Sequence, residues 1–187
     1  MAIPDAAEVR AVLAAAEVIC PAGQVTAAVH RIAGEITAAL GDRSPLVIAV
    51  MGGAVVFVGQ LLTLLRFPLD LDYVHATRYR DGTTGGEIVW KVRPREDVRG
   101  RVVLVVDDIL DAGHTLAAIR ASLLDAGAAE VHIAVFCEKH LTAPKPVRAD
   151  FVGLVVPDRY VFGFGMDIHG AWRNLPAVYA VAEPDST

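Results

Sequence analysis

The chain has 187 residues, 54% of them hydrophobic and 21% charged, which suits one domain with a full core and excludes a disordered, collagenous or coiled-coil chain. Lys and Arg number 17 against 22 Asp and Glu, a formal charge of −5, the wrong sign for a general nucleic-acid binder. Two cysteines, Cys20 and Cys137, are too few for a disulfide framework or a four-cysteine zinc site and fit a cytoplasmic protein with reduced thiols.

Asp5 and Glu8 precede the first basic residue, Arg10, the reverse of a secretory signal. A first helix is predicted from Pro4 to Ile19, with proline and acids in its first turn. A second runs from about Val25 to Leu40, where Val25, Val29, Ile32 and Ile36 recur at three and four residues and Gly41 marks the stop. From Ser44 to Leu65 there is no charged residue or histidine. Pro45, Gly52, Gly53, Gly59 and Gln60 interrupt that run, so it reads as a buried strand (Leu46 to Val50), a glycine turn and a helix (about Ala54 to Leu65) rather than a membrane span. Leu69 to Ala76 alternates as a strand. Tyr79 to Gly86 is a polar, glycine-rich tip, and Glu87 to Val92 returns as the second arm of a hairpin. Val102 to Val106 and Val131 to Phe136 are strands buried on both faces, separated by a helix from about Thr115 to Ala126 that Gly127 closes. From Phe151 onward the chain is short strands and turns. This order predicts an α/β fold with a mostly parallel central sheet flanked by helices. Chemistry is then expected just after Val50, Val106 and Phe136, at the carboxyl ends of the strands.

The richest segment is Val102 to Leu116, VVLVVDDILDAGHTL. An apolar strand ends in Asp107 and Asp108. Asp111 follows, then Ala112, Gly113, His114 and Thr115 at a helix start. Small residues let backbone N–H groups approach an anion, and the helix N-terminus adds positive potential. The carboxylates would repel that anion, but they can accept hydrogen bonds from vicinal hydroxyls or bind Mg²⁺. A ribose phosphate presents both needs together. Acidic caps on an ordinary strand-to-helix turn are the plainer reading of the same residues. No G-x-x-x-x-G-K-[ST] loop occurs, and Gly163 and Gly165 lack the third glycine of a dinucleotide fingerprint. Arg93 to Arg101 holds four arginines among Glu96, Asp97 and Gly100, and reads as a solvated connection. His75, His132 and His169 show no metal-ligand spacing.

VVLVVDDILDAGHTL resembles the phosphoribosyl pyrophosphate (PRPP) motif of the type I phosphoribosyltransferases, and DFVGLVVPDRYVFGFGMDIHGAWR (Asp150 to Arg173) resembles their hypoxanthine-guanine branch. The resemblance implies a single domain over residues 1–187, with a small hood formed mainly by about 137–187 with an N-terminal contribution and a mobile hairpin loop at about 78–87. It implies purine salvage: hypoxanthine or guanine plus PRPP giving IMP or GMP and pyrophosphate, with Mg²⁺, in a homodimer or homotetramer, and no nucleic acid or membrane as partner. In that family Asp107 and Asp108 would hold the ribose hydroxyls and, with Asp167, the metal. Asp111 would exchange a proton with the purine N7, and Asp111 to Thr115 would cradle the 5′-phosphate. Lys139 would donate to the purine O6. Tyr160 would stack on the base and Val161 would meet its edge through the backbone, with Asp167 beside them. Met51, Gly52 and Gly53 would form the pyrophosphate loop, joined by Arg78, Tyr79 and Arg173. From the residues alone, a solvated lysine is the alternative reading of Lys139, and Tyr160 reads equally as a core aromatic.

Four positions depart from the family pattern. Met51 stands where Lys or Arg is usual, Arg78 precedes Tyr79 where Ser is usual, Asp107 replaces Glu, and His114 replaces Lys or Asn. Arg78 is placed to restore the positive charge that Met51 lacks. Two other readings stay open at this stage: a nucleotide-sensing regulator on the same fold, and a xanthine-preferring transferase.

Overall fold

The computed structural model describes residues 5–78 and 88–182; the side chains of 77, 78 and 88 are outside the description. Helix α1 (Ala6–Ala15) opens on Asp5, whose carboxylate accepts from the Ala7 N–H at 3.0 Å. That helix is shorter than the Pro4 to Ile19 expected from the sequence. At Ala16 the backbone turns extended, and Glu17–Cys20 forms strand β1. The reason is tertiary: β1 pairs antiparallel with β9 (Val178–Ala180), Val18 opposite Tyr179, and a short β-branched segment takes the structure its partner offers. Pro4 lies outside the described residues.

Helix α2 (Ala22–Leu40) buries Val25, Val29, Ile32 and Ile36 on one face, as their spacing predicts. Strand β2 (Leu46–Val50) and helix α3 (Val55–Leu62) flank the glycine turn. Among the described residues no helix is long and apolar enough to cross a membrane. Strands β3 (Asp70–Arg78) and β4 (Ile88–Val92) form an antiparallel pair. Strand β5 (Val102–Leu110), helix α4 (His114–Asp125), strand β6 (Glu130–Lys139) and strand β7 (Phe151–Val156) complete the main body.

The main sheet has the order β4-β3-β2-β5-β6-β7, with every pair parallel except β3 with β4. A second sheet, β1-β9-β8, with β8 at Val161–Phe162, is antiparallel and joins the N-terminal strand to the C-terminal region. Successive strand residues enter two cores. Val47, Ala49, Leu104, Val106 and Phe136 face α2 and α3. Leu46, Ile48, Val103, Val105 and Val135 face α4. Phe136 links the first core to the C-terminal region: its ring lies 5.5 Å from that of Phe57 and 4.3 Å from that of Phe164. Burying a ring of this size is worth about 1.5–3 kcal/mol.

Strand β3 turns the opposite way from what its apolar residues suggest. Asp72, Val74 and Ala76 are buried, whereas Leu71 and Tyr73 are exposed. Asp72 tolerates burial because its carboxylate accepts from three backbone N–H groups, those of Tyr73, Arg95 and Glu96. Burial alone would raise its pKa; those bonds and the Arg95 charge outweigh it and hold the carboxyl below the usual range. The arginine-rich connection is thus pinned to the sheet by a buried acid. At the edge strand β7, Arg31 of α2 donates to the carbonyls of Val152 and Gly153, covering groups an open edge would otherwise present.

Candidate active site

Both central strands run further than their apolar cores predict. β5 continues through Leu110 and β6 through Lys139, with Ile109 opposite Cys137 and Leu110 opposite Glu138. Asp107 and Asp108 therefore lie inside the last turns of a strand rather than beyond it, and Lys139 is the terminal residue of its neighbour. Each strand extends because the other supplies its ladder partner.

At these strand ends lies a cavity of about 220 Å³, lined by Asp108, Ile109, Asp111, Lys139, Tyr160, Val161, Met166 and Asp167. Six of these were expected from sequence. Ile109 and Met166 were not: both are apolar walls, distinguishable from ordinary core only once the fold is known. Lys139 is no solvated lysine. Its side chain is 14% exposed, and its Nζ lies 3.1 Å from Asp111 Oδ2 and 3.9 Å from Asp158 Oδ1. Tyr160 is no core aromatic either. It is 55% exposed at the cavity wall, and its hydroxyl donates to the Asp167 carbonyl at 3.1 Å. Val161 is buried in β8 and paired with Ala180.

Asp107 is buried beside Asp108 in β5, its Oδ1 accepting from the Asp108 N–H at 2.9 Å. Burial first, and the Asp108 charge second, push its carboxyl well up from the ordinary carboxylate value. Burial also raises Asp108, an effect opposed by its bond with Asp107 and by the Arg173 charge. The same burial, with the Asp108 charge added, pushes the Cys137 thiol up, so this cysteine stays protonated and inert. A pair of carboxylates short of countercharge is a place where a cation or hydroxyl donors are gained at little cost.

The glycine turn packs against this pair. The Met51–Gly52 peptide is cis. A Cβ on Gly53 would fall 1.6 Å from Asp108 Oδ2, and one on Gly165 would fall 2.2 Å from the Gly53 carbonyl oxygen. Only glycines allow Asp108, the glycine turn and the segment at Gly165 to approach this closely. Met51 packs partly buried against the first core. Past β5, Gly113 takes φ +81° and caps α4, with His114 and Thr115 in its first turn, where N–H groups lack intrahelical acceptors. Asp111, Ala112 and His114 are exposed there. Arg173 donates to the Gly165 carbonyl at 2.6 Å and to Asp167 Oδ1, while Asp167 Oδ2 accepts from the Gly170 N–H at 2.8 Å. Arg173 thus braces the Asp167 carboxylate and lends charge to Asp108. The Arg78 side chain, Tyr79 and the rest of the expected mobile loop lie outside the described residues. Among the described residues, no three His, Cys, Asp or Glu side chains cluster closely enough to hold a metal by themselves.

The phosphoribosyl transferase domain family model matches residues 19–169. The chain is similar to the hypoxanthine-guanine-xanthine phosphoribosyltransferase of Tritrichomonas foetus, 33% identical over 83% of this chain and 85% of that one. It is also similar to the hypoxanthine-guanine phosphoribosyltransferase of Bacillus subtilis (strain 168), 30% identical over 80% and 84%. A solved hypoxanthine-guanine-xanthine phosphoribosyltransferase superposes with a TM-score of 0.81 at 30% identity, covering 89% of this chain and 97% of that one. A Staphylococcus aureus hypoxanthine phosphoribosyltransferase shares the fold with a TM-score of 0.84, covering 89% and 91%, at 23% identity.

Proposed function

The chain belongs to the phosphoribosyltransferase family, in its hypoxanthine-guanine branch, and from that premise we propose that it transfers the 5-phosphoribosyl group of PRPP to hypoxanthine or guanine, giving IMP or GMP and pyrophosphate. The observation that carries this reading is the Lys139–Asp111 pair, 3.1 Å apart across the cavity between Tyr160 and the strand ends. A 6-oxopurine laid against Tyr160 offers O6 to the Lys139 ammonium and N7 to the Asp111 carboxylate. Adenine places an amino group where Lys139 needs an acceptor, so it is rejected. In the reaction the C1′–O bond to pyrophosphate breaks, its electron pair leaves with pyrophosphate, N9 bonds to C1′, and the N7 proton passes to Asp111. The transition state is a ribosyl oxocarbenium ion.

Asp107 and Asp108 take the ribose hydroxyls. Asp111 to Thr115 with the α4 N-terminus take the 5′-phosphate. Met51 to Gly53 and Arg173 attend the pyrophosphate, with Arg78 and Tyr79 assigned to it from the sequence alone. The under-neutralised pair Asp107 and Asp108, with Asp167, suits Mg²⁺, an ion usually held by one or two carboxylates together with substrate phosphates. When bound, the ion neutralises charge on the leaving pyrophosphate. Exposed Leu71 and Tyr73 on one face of β3 support self-association as a homodimer or homotetramer, and reduced Cys20 and Cys137 support a cytoplasmic location.

The test is the initial rate of pyrophosphate release with Mg²⁺ and PRPP for hypoxanthine, guanine, xanthine and adenine. Turnover of hypoxanthine or guanine without adenine is expected, and the xanthine rate settles whether that base shares the site. Failure with every base, alongside tight GMP binding, would replace this reading with a nucleotide-sensing regulator.

A further inference from the structure

Lys145 lies on the connection between β6 and β7, six residues beyond Lys139. Its side chain is 11% exposed, unusual for a lysine, whose ammonium is rarely taken out of water unless its donors are matched. They are matched three ways. Nζ donates to the Lys139 carbonyl at 2.6 Å, to the Leu110 carbonyl at 3.3 Å and to Glu138 Oε1 at 3.0 Å, which uses all three N–H bonds of the ammonium.

The two carbonyls are the last of their strands. The β5–β6 ladder ends with Leu110 opposite Glu138, and Lys139 pairs onward with Val156 of β7 instead. Lys145 therefore bridges the two strands where their own hydrogen bonds stop. One carbonyl belongs to the residue before Asp111, the other to Lys139 itself. An independent contact points the same way: a Cβ on Gly113 would lie 3.3 Å from Val147 Cγ1 and 3.5 Å from Pro146 Cδ. The segment Lys145-Pro146-Val147 thus underlies the phosphate turn as well as the strand ends.

Resting on the transferase reading above, we propose that Lys145 is a positioning residue: by clamping the Leu110 and Lys139 carbonyls it sets the separation of the proton acceptor Asp111 from the base-reading Lys139 and so governs both purine affinity and turnover. It touches no substrate. Its action runs through the backbone of the two residues that do.

The test compares wild type with Lys145→Met, Lys145→Arg and Glu138→Gln, using the dissociation constant for GMP by calorimetry, kcat and KM for hypoxanthine and guanine, and thermal unfolding. Charge-assisted bonds of this kind, when lost, cost about 10- to 100-fold in an equilibrium or rate. Lys145→Met is expected to weaken GMP binding about tenfold and to lower kcat/KM for the base by about 10- to 100-fold. Lys145→Arg keeps the donors and recovers most of both. Glu138→Gln leaves the carbonyl clamp and stays close to wild type. A merely structural lysine would lower Tm and the folded fraction while leaving the GMP dissociation constant of the folded molecules unchanged. That result, or a folded Lys145→Met with wild-type GMP affinity and kcat/KM, overturns the proposal. If Lys145→Met does not fold, Lys145→Gln is measured in its place: an intermediate loss supports the clamp and equality with wild type overturns it. A wild type that binds GMP but turns over no base would overturn the transferase reading alone, and the comparison of GMP affinities still decides the role of Lys145.

Discussion

Gly53→Ala tests how closely the glycine turn after β2, the acid pair and the segment around Gly165 are packed. The added methyl would sit 1.6 Å from Asp108 Oδ2 and 2.4 Å from its Cγ, against 3.4 Å or more for ordinary contact, so about 1.8 Å must be found. The loop has little room to yield, because the Gly53 carbonyl already abuts Gly165 and leaves 2.2 Å for a Cβ there. Asp108 must therefore swing out of place. Overpacking of this size costs about 1–3 kcal/mol of stability, a fall in Tm of roughly 2–12 °C for a chain of this length. The functional loss is larger, since displacing a binding group by about 1 Å costs about 10²-fold. Gly53→Ala is thus expected to lower kcat/KM for PRPP by about 10²-fold or more. Gly59→Ala is the control. A Cβ at Gly59 meets nothing within 4 Å inside α3, so the exchange is neutral or stabilising by up to about 1 kcal/mol. Steady-state kinetics and thermal melts on both variants decide the matter. A Gly53→Ala enzyme with kcat/KM within about threefold of wild type, less than the loss a 1 Å displacement brings, would show that Asp108 is not held as described.

Asp72→Asn turns one of the two buried oxygens that together accept three backbone bonds into an NH2 donor facing backbone N–H groups. Because the Asp72 pKa is lowered in the fold, its stabilisation is present above about pH 3.9 and is lost as pH falls through the folded value. The variant should lose about 2 kcal/mol at pH 7, roughly 4–8 °C in Tm, with the gap closing below pH 4 in melts run across pH. Asp107 has the opposite sign. Its raised folded pKa makes its contribution complete below about pH 3.9 and lost as pH rises through the folded value. Ligand-free Asp107→Asn should therefore melt higher than wild type at neutral pH and no higher at pH 3, while calorimetry shows Mg²⁺–PRPP affinity reduced about tenfold or more. Lys139→Met keeps the aliphatic stem and loses the donor. The expected result is a 10- to 100-fold fall in kcat/KM for hypoxanthine and weakened discrimination against adenine in a competition assay.

Much of the fold was legible because its signals were local. The apolar runs in β2 and β5, the helical spacing of α2 and the glycine turn between β2 and α3 each follow from a few adjacent residues. The acid pair, Asp111 and the small residues after it were legible for the same reason. What was not legible depends on partners far along the chain. Glu17–Cys20 is compatible with a helix until β9 arrives beside it. The ends of β5 and β6 lie beyond their apolar runs because each strand is prolonged by the other. The buried face of β3 was hidden because an aspartate leads it, and Asp72 is accommodated only by backbone donors from Arg95 and Glu96. Lys145 looks like any surface lysine until the fold brings the Leu110 and Lys139 carbonyls to it.

The central claim is that Asp111, held beside Lys139, carries the proton in transfer to a 6-oxopurine. Single-turnover kinetics of hypoxanthine with Mg²⁺ and PRPP, comparing wild type with Asp111→Asn, test it most directly. The account predicts that the single-turnover rate constant falls by about 10²- to 10⁴-fold while GMP is still bound. An Asp111→Asn enzyme that forms IMP at the wild-type rate would contradict it.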